Sequence, residues 1–240
     1  MVNQRILSEQ KVWGLSGNER FFTETRSSID HLYRSEKFFL PQQIVESQDF
    51  LDIGCACGDF SRIVRHYNPA IRYTGADIIE RFINIARERY PEDVFIVSDG
   101  ISLAFPDNRF DLVHSSGILH LNSQYKDVVR EMYRVSSRHV LCDFRLTNGP
   151  QVIGEMDVNL VGQEKAVDTL PYYVVNVDEH LAFLKSLSPS PARITVKGYA
   201  HPPTKAARLS VDSVLMAFFL IEKGNAAVMN GTVIDINLNA

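Results

Sequence analysis

The chain has 240 residues, 45% hydrophobic content and a formal net charge of −4, which is enough for one sizeable α/β core. The acidic balance argues against nucleic acid or an anionic membrane as the main partner, because those partners usually demand a basic face. Three cysteines give neither a disulfide framework nor the spacing of zinc ligands, so we expect a reduced, cytoplasmic protein without a metal site. No apolar stretch approaches about eighteen residues, and the amino terminus has no signal-peptide pattern.

The amino-terminal segment, residues 1–44, is predicted to form a polar arm and then a helical cap. Apolar residues follow helical spacing from about residue 21 to residue 44, and Pro41 is expected to interrupt the helix. Packing of these helices against the edge of a sheet accounts for the pattern.

The most informative stretch is residues 50–62, FLDIGCACGDFSR. A short apolar run that contains Asp52 predicts a buried strand, Gly54 and Gly58 predict a tight turn, and the helical spacing that follows predicts a helix. Asp77 closes a second apolar run nineteen positions after Gly58. Because carboxylates at this place bind ribose hydroxyls in nucleotide-binding βαβ units, the stretch predicts a ligand that contains adenosine.

The spacing of the turn residues distinguishes between adenosine ligands. A dinucleotide site requires G-x-G-x-x-G, but Ala56 and Asp59 stand where the second and third glycines belong. An aspartate at the start of a helix is also expected to repel a diphosphate. The observed form, D-x-G-x-x-x-G with Cys55 after the first glycine, resembles motif I of the class I S-adenosylmethionine-dependent methyltransferases, whose cofactor carries no phosphate.

The next elements strengthen this resemblance. Strands are predicted at 71–77, 94–97, 110–114 and 138–144, with helices at 79–90 and 125–135, so strands and helices alternate as in a parallel, doubly wound sheet. Residues 105–121, FPDNRFDLVHSSGILHL, resemble the FPDNxFDxV…LH run of the same family. The resemblance implies an α/β fold with a seven-stranded, mostly parallel sheet, helices on both faces, and the last strand antiparallel.

The second half of the chain carries fewer signals. Residues 146–177 are predicted to form a substrate loop or insert, because the segment is long and has few helical periods. A helix is predicted at 177–187 and strands at 193–199 and 211–222, which complete a cofactor-binding domain over 45–224. Residues 225–240 are predicted to form a tail or an edge strand.

The resemblance also assigns roles to single residues. It implies that Asp99 accepts a hydrogen bond from the adenine amine, although an Asp-Gly pair is also an ordinary turn. It implies that the end of the fourth strand faces the sulfonium and the methionine part of the cofactor, and that the amino-terminal helices cover the site, with Trp13, Arg26 and Tyr33 as lid residues. The predicted cofactor-binding residues are Asp52, Gly54, Cys55, Gly58, Asp77, Ile78, Asp99, Gly100, Ser115 and Ser116.

Methyl transfer from a sulfonium is an in-line displacement, so the protein's task is positioning and electrostatics. A hydroxyl acceptor would benefit from a general base, and His120, just past the fourth strand, is the first candidate, with His201 second. The alternative is that His120 packs on the sheet as a structural residue. Tyr172, Tyr173 and Tyr199 are candidates for lining an acceptor pocket, or else belong to the core.

The sequence therefore predicts a methyltransferase that acts on a small-molecule acceptor, releases S-adenosylhomocysteine, and is a monomer or a homodimer. The Asp/Asn-Pro-Pro-Tyr/Phe run of enzymes that methylate nucleobase amines is absent after the fourth strand, where Ser115-Ser-Gly-Ile118 stands. Two alternatives stay open: a nicotinamide-dependent oxidoreductase on a similar sheet, and a non-catalytic subunit that binds S-adenosylmethionine.

Overall fold

The computed structural model of the protein describes residues 12–13, 23, 26–158, 168–224 and 233–237. Most of the predicted amino-terminal arm, residues 159–167 of the predicted loop, and most of the carboxyl-terminal tail lie outside these described residues.

Helices and strands alternate through most of the described chain. The α-helices are α1 (Arg34–Val45), α2 (Phe60–Tyr67), α3 (Glu80–Arg89), α4 (Tyr125–Val135) and α5 (Val177–Lys185), and two short 3-10 helices span Ile29–His31 and Leu119–Leu121. The strands are β1 (Asp49–Ile53), β2 (Arg72–Asp77), β3 (Val94–Val97), β4 (Phe110–Ser115), β5 (Ser136–Thr147), β6 (Val152–Val158), β7 (Asp168–Asn176), β8 (Arg193–His201), β9 (Ala207–Arg208), β10 (Val214–Glu222) and β11 (Val233–Asn237).

The central sheet has the order β11-β8-β10-β5-β4-β1-β2-β3. The five strands from β3 to β5 are parallel, and β10 lies antiparallel between β5 and β8. The predicted sheet is thereby confirmed, including its antiparallel last strand. Strand β11 pairs with β8 in parallel at the outer edge.

Helices cover both faces of the sheet, because successive residues of each buried strand point to opposite sides. On one face α1, α2 and α3 pack around Phe50 and Leu112; on the other, α4 and α5 pack around Leu51 and Val113. Each face therefore has its own apolar core, as a doubly wound sheet requires.

Two expectations about local structure are wrong. Pro41 lies inside α1 and does not end it. A proline leaves the carbonyl four residues earlier without its helical partner, and that residue, Lys37, is on the exposed side of the helix, where water can satisfy it. The described part of 146–177 contains the antiparallel strands β6 and β7 where a loop was expected.

The parallel strands bring their carboxyl ends to one edge of the sheet. Ile53 at the end of β1 lies beside Ala76 of β2, and Asp77 lies beside Val97 of β3. Ser115 at the end of β4 lies beside Cys142 of β5. Side chains that follow these strands are therefore close together, which is where open α/β sheets bind ligands.

Candidate functional site

The glycine-containing turn between β1 and α2 requires the residues that it has. Gly54 and Gly58 have φ angles of +82° and +83°, which side chains rarely tolerate. A Cβ on Gly54 would lie 2.6 Å from Cδ1 of Ile118, and a Cβ on Gly58 would lie 2.8 Å from Cζ of Phe95. Ala56 between them also has a positive φ of 46°. The turn is therefore compact and keeps the edge of the sheet open.

The backbone N–H groups of this turn are largely used within the protein. Gly54 and Cys55 both donate to the carbonyl of Ala76, at 2.8 and 3.1 Å, and Gly58 donates to the carbonyl of Cys55 at 2.9 Å. The N–H of Ala56 donates to Oδ2 of Asp77 at 3.0 Å. A phosphate-binding turn must offer such N–H groups to its ligand. These four groups are already satisfied, which disfavours a diphosphate here.

Asp77 stands at the rim, at the end of β2. Its Oδ1 accepts from the N–H of Ile79 at 2.9 Å, and its Oδ2 accepts from Ala56. Burial raises the pKa of Asp77 to about 6, although these backbone hydrogen bonds oppose the rise. Each carboxylate oxygen can accept more than one hydrogen bond, so both retain capacity for hydroxyl donors of a ligand.

Asp59, at the start of α2, was expected to repel a diphosphate through its charge, and this part of the sequence argument is wrong. Its carboxylate accepts from both terminal nitrogens of Arg89, at 2.5 and 2.7 Å, and from the hydroxyl of Tyr90 at 2.7 Å. The arginine compensates the charge. The case against a phosphate ligand therefore rests on the occupied N–H groups of the turn.

Asp52 is buried beneath the turn and is held on both oxygens. The hydroxyl of Tyr73 donates to Oδ2 at 2.6 Å, and Nδ1 of His114 lies 2.9 Å from Oδ1. The ring of Phe60 stacks on His114 with the centroids 4.6 Å apart. Asp52 is therefore a fixed charge of the cavity floor.

The other ring nitrogen of His114 lies 3.1 Å from Oε1 of Glu36 on α1. Burial on its own lowers the pKa of His114, but the hydrogen bonds and charges of Asp52 and Glu36 outweigh it and raise the pKa to about 9. Burial likewise opposes ionisation of Glu36, and Arg26 together with His114 lowers its pKa to about 2. The histidine is thus a buried imidazolium between two carboxylates.

Arg26 extends this chain of charges to the end of β4. Its guanidinium donates to both carboxylate oxygens of Glu36, at 2.7 and 3.1 Å, and to Oγ of Ser116 at 3.0 Å. It also lies over the rings of Tyr33 and Phe60, 5.1 and 5.4 Å from their centroids. The segment that precedes α1 is therefore attached to α1 and to the end of β4 through Arg26.

A second buried ion pair lies at the end of β5. Asp143 and Arg145 are two residues apart and share one face of the strand, where Arg145 donates from Nη1 to Oδ2 of Asp143. Oδ1 of Asp143 accepts from the N–H of Gly117 at 2.6 Å. This pair fixes the loop after β4, whose Gly117 has a φ of +79°.

His120 lies in the short helix Leu119–Leu121 and is 5% exposed. Burial lowers its pKa well below the usual value, and the charge of Arg145 acts in the same direction. Its ring meets that of Tyr172 edge-on, with the centroids 4.9 Å apart. His120 is therefore neutral at pH 7, the state in which an imidazole can accept a proton.

These elements surround a cavity of about 700 Å³, a size typical of small-molecule sites. Of the residues predicted to bind or act on ligands, those that line it are Asp52, Gly54, Cys55, Asp77, Ile78, Asp99, Ser116 and His120. The aromatic and lid candidates that line it are Trp13, Arg26, Tyr33, Tyr172 and Tyr199, together with His201.

Three predicted residues lie behind the cavity wall. Gly58 packs against Phe95, and Gly100 is buried with a φ of +75°. Ser115 is fully buried, and its hydroxyl has no hydrogen-bond partner among the described residues.

Asp99 is exposed at the rim and accepts at Oδ1 from the N–H groups of the two residues that follow Gly100, at 2.9 and 3.3 Å.

Sequence reasoning missed Glu36, Tyr73, Asp143 and Arg145. Asp143 and Arg145 could have been found from the sequence, because an acid and an arginine that follow a buried apolar run indicate the end of a parallel strand. Glu36 had none, since its partner His114 is 78 residues away in the chain.

Residues 51–142 match the sequence profile of the family described as methyltransferase domain. The predicted resemblance to the class I methyltransferases is thereby confirmed for the segment that carries the motifs. Among the described residues, no helix is long and apolar enough to cross a membrane.

Related proteins of known name match parts of the chain. Over 94 residues it is 31% identical to demethylmenaquinone methyltransferase of Thermotoga maritima, covering 39% of this chain and 41% of that enzyme. Over 118 residues it is 30% identical to phosphoethanolamine N-methyltransferase of Plasmodium falciparum, covering 48% of this chain and 44% of that enzyme. The chain therefore spans less than half the length of these curated relatives.

The fold extends beyond the matched segment. A solved structure of 1,6-didemethyltoxoflavin-N1-methyltransferase from Burkholderia thailandensis, with bound 1,6-didemethyltoxoflavin and S-adenosylhomocysteine, superposes with a TM-score of 0.60 at 14% identity. The superposition covers 92% of this chain and 88% of that one. The likeness shows that the two chains share a fold over most of their length.

Proposed function

We propose that the protein is an S-adenosylmethionine-dependent methyltransferase that acts on a small-molecule acceptor and releases S-adenosylhomocysteine. The observation that carries the proposal is the glycine turn, whose N–H groups at Gly54, Cys55, Ala56 and Gly58 are satisfied internally while Asp77 keeps acceptor capacity beside it. That combination suits a nucleoside without phosphate. The family of residues 51–142 supports the same reaction class.

The residues along the cavity fit the parts of this cofactor. Asp77 would accept hydrogen bonds from the ribose hydroxyls, and Asp99 stands further along the rim toward the adenine. Ser116, in the loop after β4, and Arg26, which donates to its hydroxyl, are polar groups on the side of the cavity where the methionine part would lie. When bound, S-adenosylmethionine supplies the methyl group, which leaves its sulfonium as the acceptor attacks in line.

The chain's own contribution is to orient the two reactants and to exclude water. The segment before α1 lines the cavity through Arg26, and aromatic rings of Tyr33 and Tyr172 form walls. His120, neutral and next to Tyr172, is the candidate for accepting a proton from the acceptor. Its low basicity suits an acceptor whose proton is already acidic.

A small molecule is the acceptor class that the cavity favours. The space beyond β4 and β5 is bounded by side chains of β6, β7, β8 and β10, and aromatic and apolar residues predominate there. The curated relatives are named for chemically different acceptors, a demethylmenaquinone and a phosphoethanolamine. Their names therefore support a small acceptor without identifying it.

The first experiment compares cofactors by calorimetry. We expect S-adenosylhomocysteine to bind tightly and NAD weakly or not at all; the reverse order would favour the oxidoreductase alternative. Gly54→Val serves as a matched variant, because its side chain would collide with Ile118 and should abolish binding. Retained binding in that variant would mean that the ligand lies elsewhere.

The second experiment tests turnover by the isolated chain. The protein is incubated with S-adenosylmethionine labelled in its methyl group and with fractionated metabolite pools, and transfer of label into a small molecule is measured. Labelled product supports an enzyme. Tight cofactor binding without any labelled product would favour the non-catalytic subunit instead.

A further inference from the structure

Arg145 is the buried arginine in the wall of the acceptor end of the cavity. It lies near the end of β5 and is 7% exposed, and its neighbours Phe144 and Leu146 point to the opposite, apolar face of the sheet. A guanidinium is costly to bury unless its N–H groups are used. The N–H groups of Arg145 are therefore expected to have hydrogen-bond partners.

One side of the guanidinium is held by the protein. Nη1 donates to Asp143, which is fixed in turn by the N–H of Gly117. Tyr172 lines the same cavity, and the charge of Arg145 lowers the pKa of its phenol against the larger, opposite effect of burial. Since a guanidinium carries several N–H donors and no acceptor, Arg145 is oriented and keeps donors for a ligand.

Tyrosine side chains around Arg145 supply further hydrogen-bond donors and flat aromatic surfaces. The ring centroid of Tyr33 lies 5.7 Å from the guanidinium carbon. Tyr199 pairs with Met216, the strand partner of Arg145, and its hydroxyl lies 3.3 Å from the sulfur of Met216. Burial raises the pKa values of Tyr33, Tyr172 and Tyr199. At neutral pH these phenols are therefore protonated and able to donate hydrogen bonds.

The buried acids closest to this end of the cavity are paired with cations. Glu36 is satisfied by Arg26 and His114, and Asp143 is the acid in contact with Arg145 among the described residues. An incoming oxyanion at Arg145 would meet a cation and neutral phenols, and the apolar side chains of Leu121, Val214 and Met216 would face its body.

We propose that Arg145 is the specificity-determining residue of the acceptor site, and that it binds an anionic oxygen, a carboxylate or an ionised hydroxyl, carried on a planar aromatic acceptor. This inference rests on the proposed function and names its substrate class. Tyr172 donates a second hydrogen bond to the same oxygen, and His120, in edge-on contact with Tyr172, lies beside the reacting end of the ring.

The cofactor itself has an anionic group, the carboxylate of its methionine part, which Arg145 could bind instead. The two sources share one chemistry, but they predict different effects of removing the guanidinium. A carboxylate of the cofactor would make S-adenosylhomocysteine affinity depend on Arg145. An oxyanion of the acceptor would leave that affinity unchanged.

The test uses two aromatic probes of equal shape, 1-hydroxy-2-naphthoate and its neutral amide, 1-hydroxy-2-naphthamide. Their affinities are measured by calorimetry with the full chain, with and without saturating S-adenosylhomocysteine. We expect the wild-type protein to bind the naphthoate at least about tenfold more tightly than the amide. In Arg145→Met the preference should vanish, while S-adenosylhomocysteine affinity stays within about twofold of wild type.

Controls separate this role from a structural one. Arg138→Met removes an exposed arginine at the start of the same strand, which bonds to Glu46, and should change neither preference nor cofactor affinity. Tyr172→Phe removes a phenol donor without leaving Asp143 unpaired, and should reduce the preference about threefold or more. If Arg145→Met does not fold, the probe preference measured in Tyr172→Phe decides whether the inference holds.

Several results would overturn the inference. Equal binding of the two probes, or binding of neither, removes the aromatic oxyanion as the acceptor class. A preference that survives in Arg145→Met or is unchanged in Tyr172→Phe removes these residues from the acceptor site. A loss of S-adenosylhomocysteine affinity in Arg145→Met, through a direct contact or through the loop that Asp143 holds, overturns the assignment of the guanidinium to the acceptor. Failure of wild type to bind S-adenosylhomocysteine refutes the proposed function, and the probe comparison without it still decides the role of Arg145.

Discussion

Nε2 of His114 lies 3.1 Å from Oε1 of Glu36, so a fully buried, charged hydrogen bond joins strand β4 to helix α1. On the opposite side of the ring, Nδ1 bonds to Asp52 in the floor of the cavity. Helix α1 and strand β1, which leads into the glycine turn, thus share one imidazolium. Its protonation state affects both.

This arrangement predicts that stability falls in mildly alkaline solution. The pKa of His114 is raised to about 9 in the folded protein, from an ordinary value of 6.5. The bound proton therefore stabilises the fold fully below pH 6.5, and this contribution is lost as the pH rises from about 6.5 to about 9. The free energy of unfolding in urea should fall with a slope of at most about 1.4 kcal/mol per pH unit.

The control for this slope is His114→Asn, which lacks the titrating group. We expect a less stable protein, because Glu36 and Asp52 lose a buried cation, and a much flatter profile between pH 6.5 and 8. A flat profile in wild type over the same range would show that His114 is not charged in the folded state.

Asp77 is predicted to bind the ribose. Asp77→Ala should weaken S-adenosylhomocysteine binding by about 1.5–3 kcal/mol, since hydrogen bonds to a carboxylate are lost. Because burial raises the pKa of Asp77 to about 6, the affinity of wild type should also decline as the pH falls below 6, and the variant should lack this decline. Both are measured by calorimetry.

The matched control is Asp127→Ala, which removes an exposed acid of α4 that pairs with Arg130. It should leave the affinity unchanged. Unaltered affinity in Asp77→Ala would take Asp77 out of the binding site and leave its contacts with Ala56 and Ile79 as a purely structural feature of the turn.

The strands and helices of the first half could be predicted because local signals mark them. The apolar run before Gly54 and the acid after the second strand identify the parallel edge without reference to the rest of the chain. Strand β7 gave no such signal: it contains Pro171 and pairs almost entirely with β6, itself mostly half-exposed. Its existence depends on tertiary pairing, which overrides local propensity.

The site was predictable to the same degree. Rules about strand ends led to Asp77 and His120, which both line the cavity, and applied to the fifth strand they would also have led to Arg145. They could not tell that the N–H groups of the turn are internally bonded, or that Asp59 is neutralised by Arg89. Both depend on side chains and carbonyls that approach from other elements.

His120 is predicted to act in the chemical step. With the acceptor that turnover assays identify, His120→Ala should lower kcat about 10²-fold or more, as removal of a general base does, and should leave S-adenosylhomocysteine affinity unchanged. His66→Ala, which alters an exposed histidine of α2, is the control. Wild-type turnover in His120→Ala would leave His120 as a packing residue of the sheet.

We predict that His180 on α5 lowers the free energy of unfolding of the protein. Both of its ring nitrogens are buried without a hydrogen-bond partner among the described residues. Its ring centroid lies 4.0 Å from the ring centroid of Phe144 and 5.1 Å from that of Phe219. An unsatisfied buried polar group costs about 1–3 kcal/mol. His180→Leu, which fills similar space with apolar atoms, should therefore raise the free energy of unfolding at pH 7.

The pH dependence makes this last prediction specific. Burial lowers the pKa of His180 to about 3, with the charge of Lys126 adding to the effect. The unfolded chain takes up a proton near pH 6.5 and the folded chain does not, so wild type loses stability as the pH falls from 6.5 toward 3. The advantage of His180→Leu should accordingly widen on acidification, whereas His66→Leu, at an exposed position, should show no such widening. A variant less stable than wild type at every pH would mean that the cavity left by the ring outweighs the relief of its buried nitrogens.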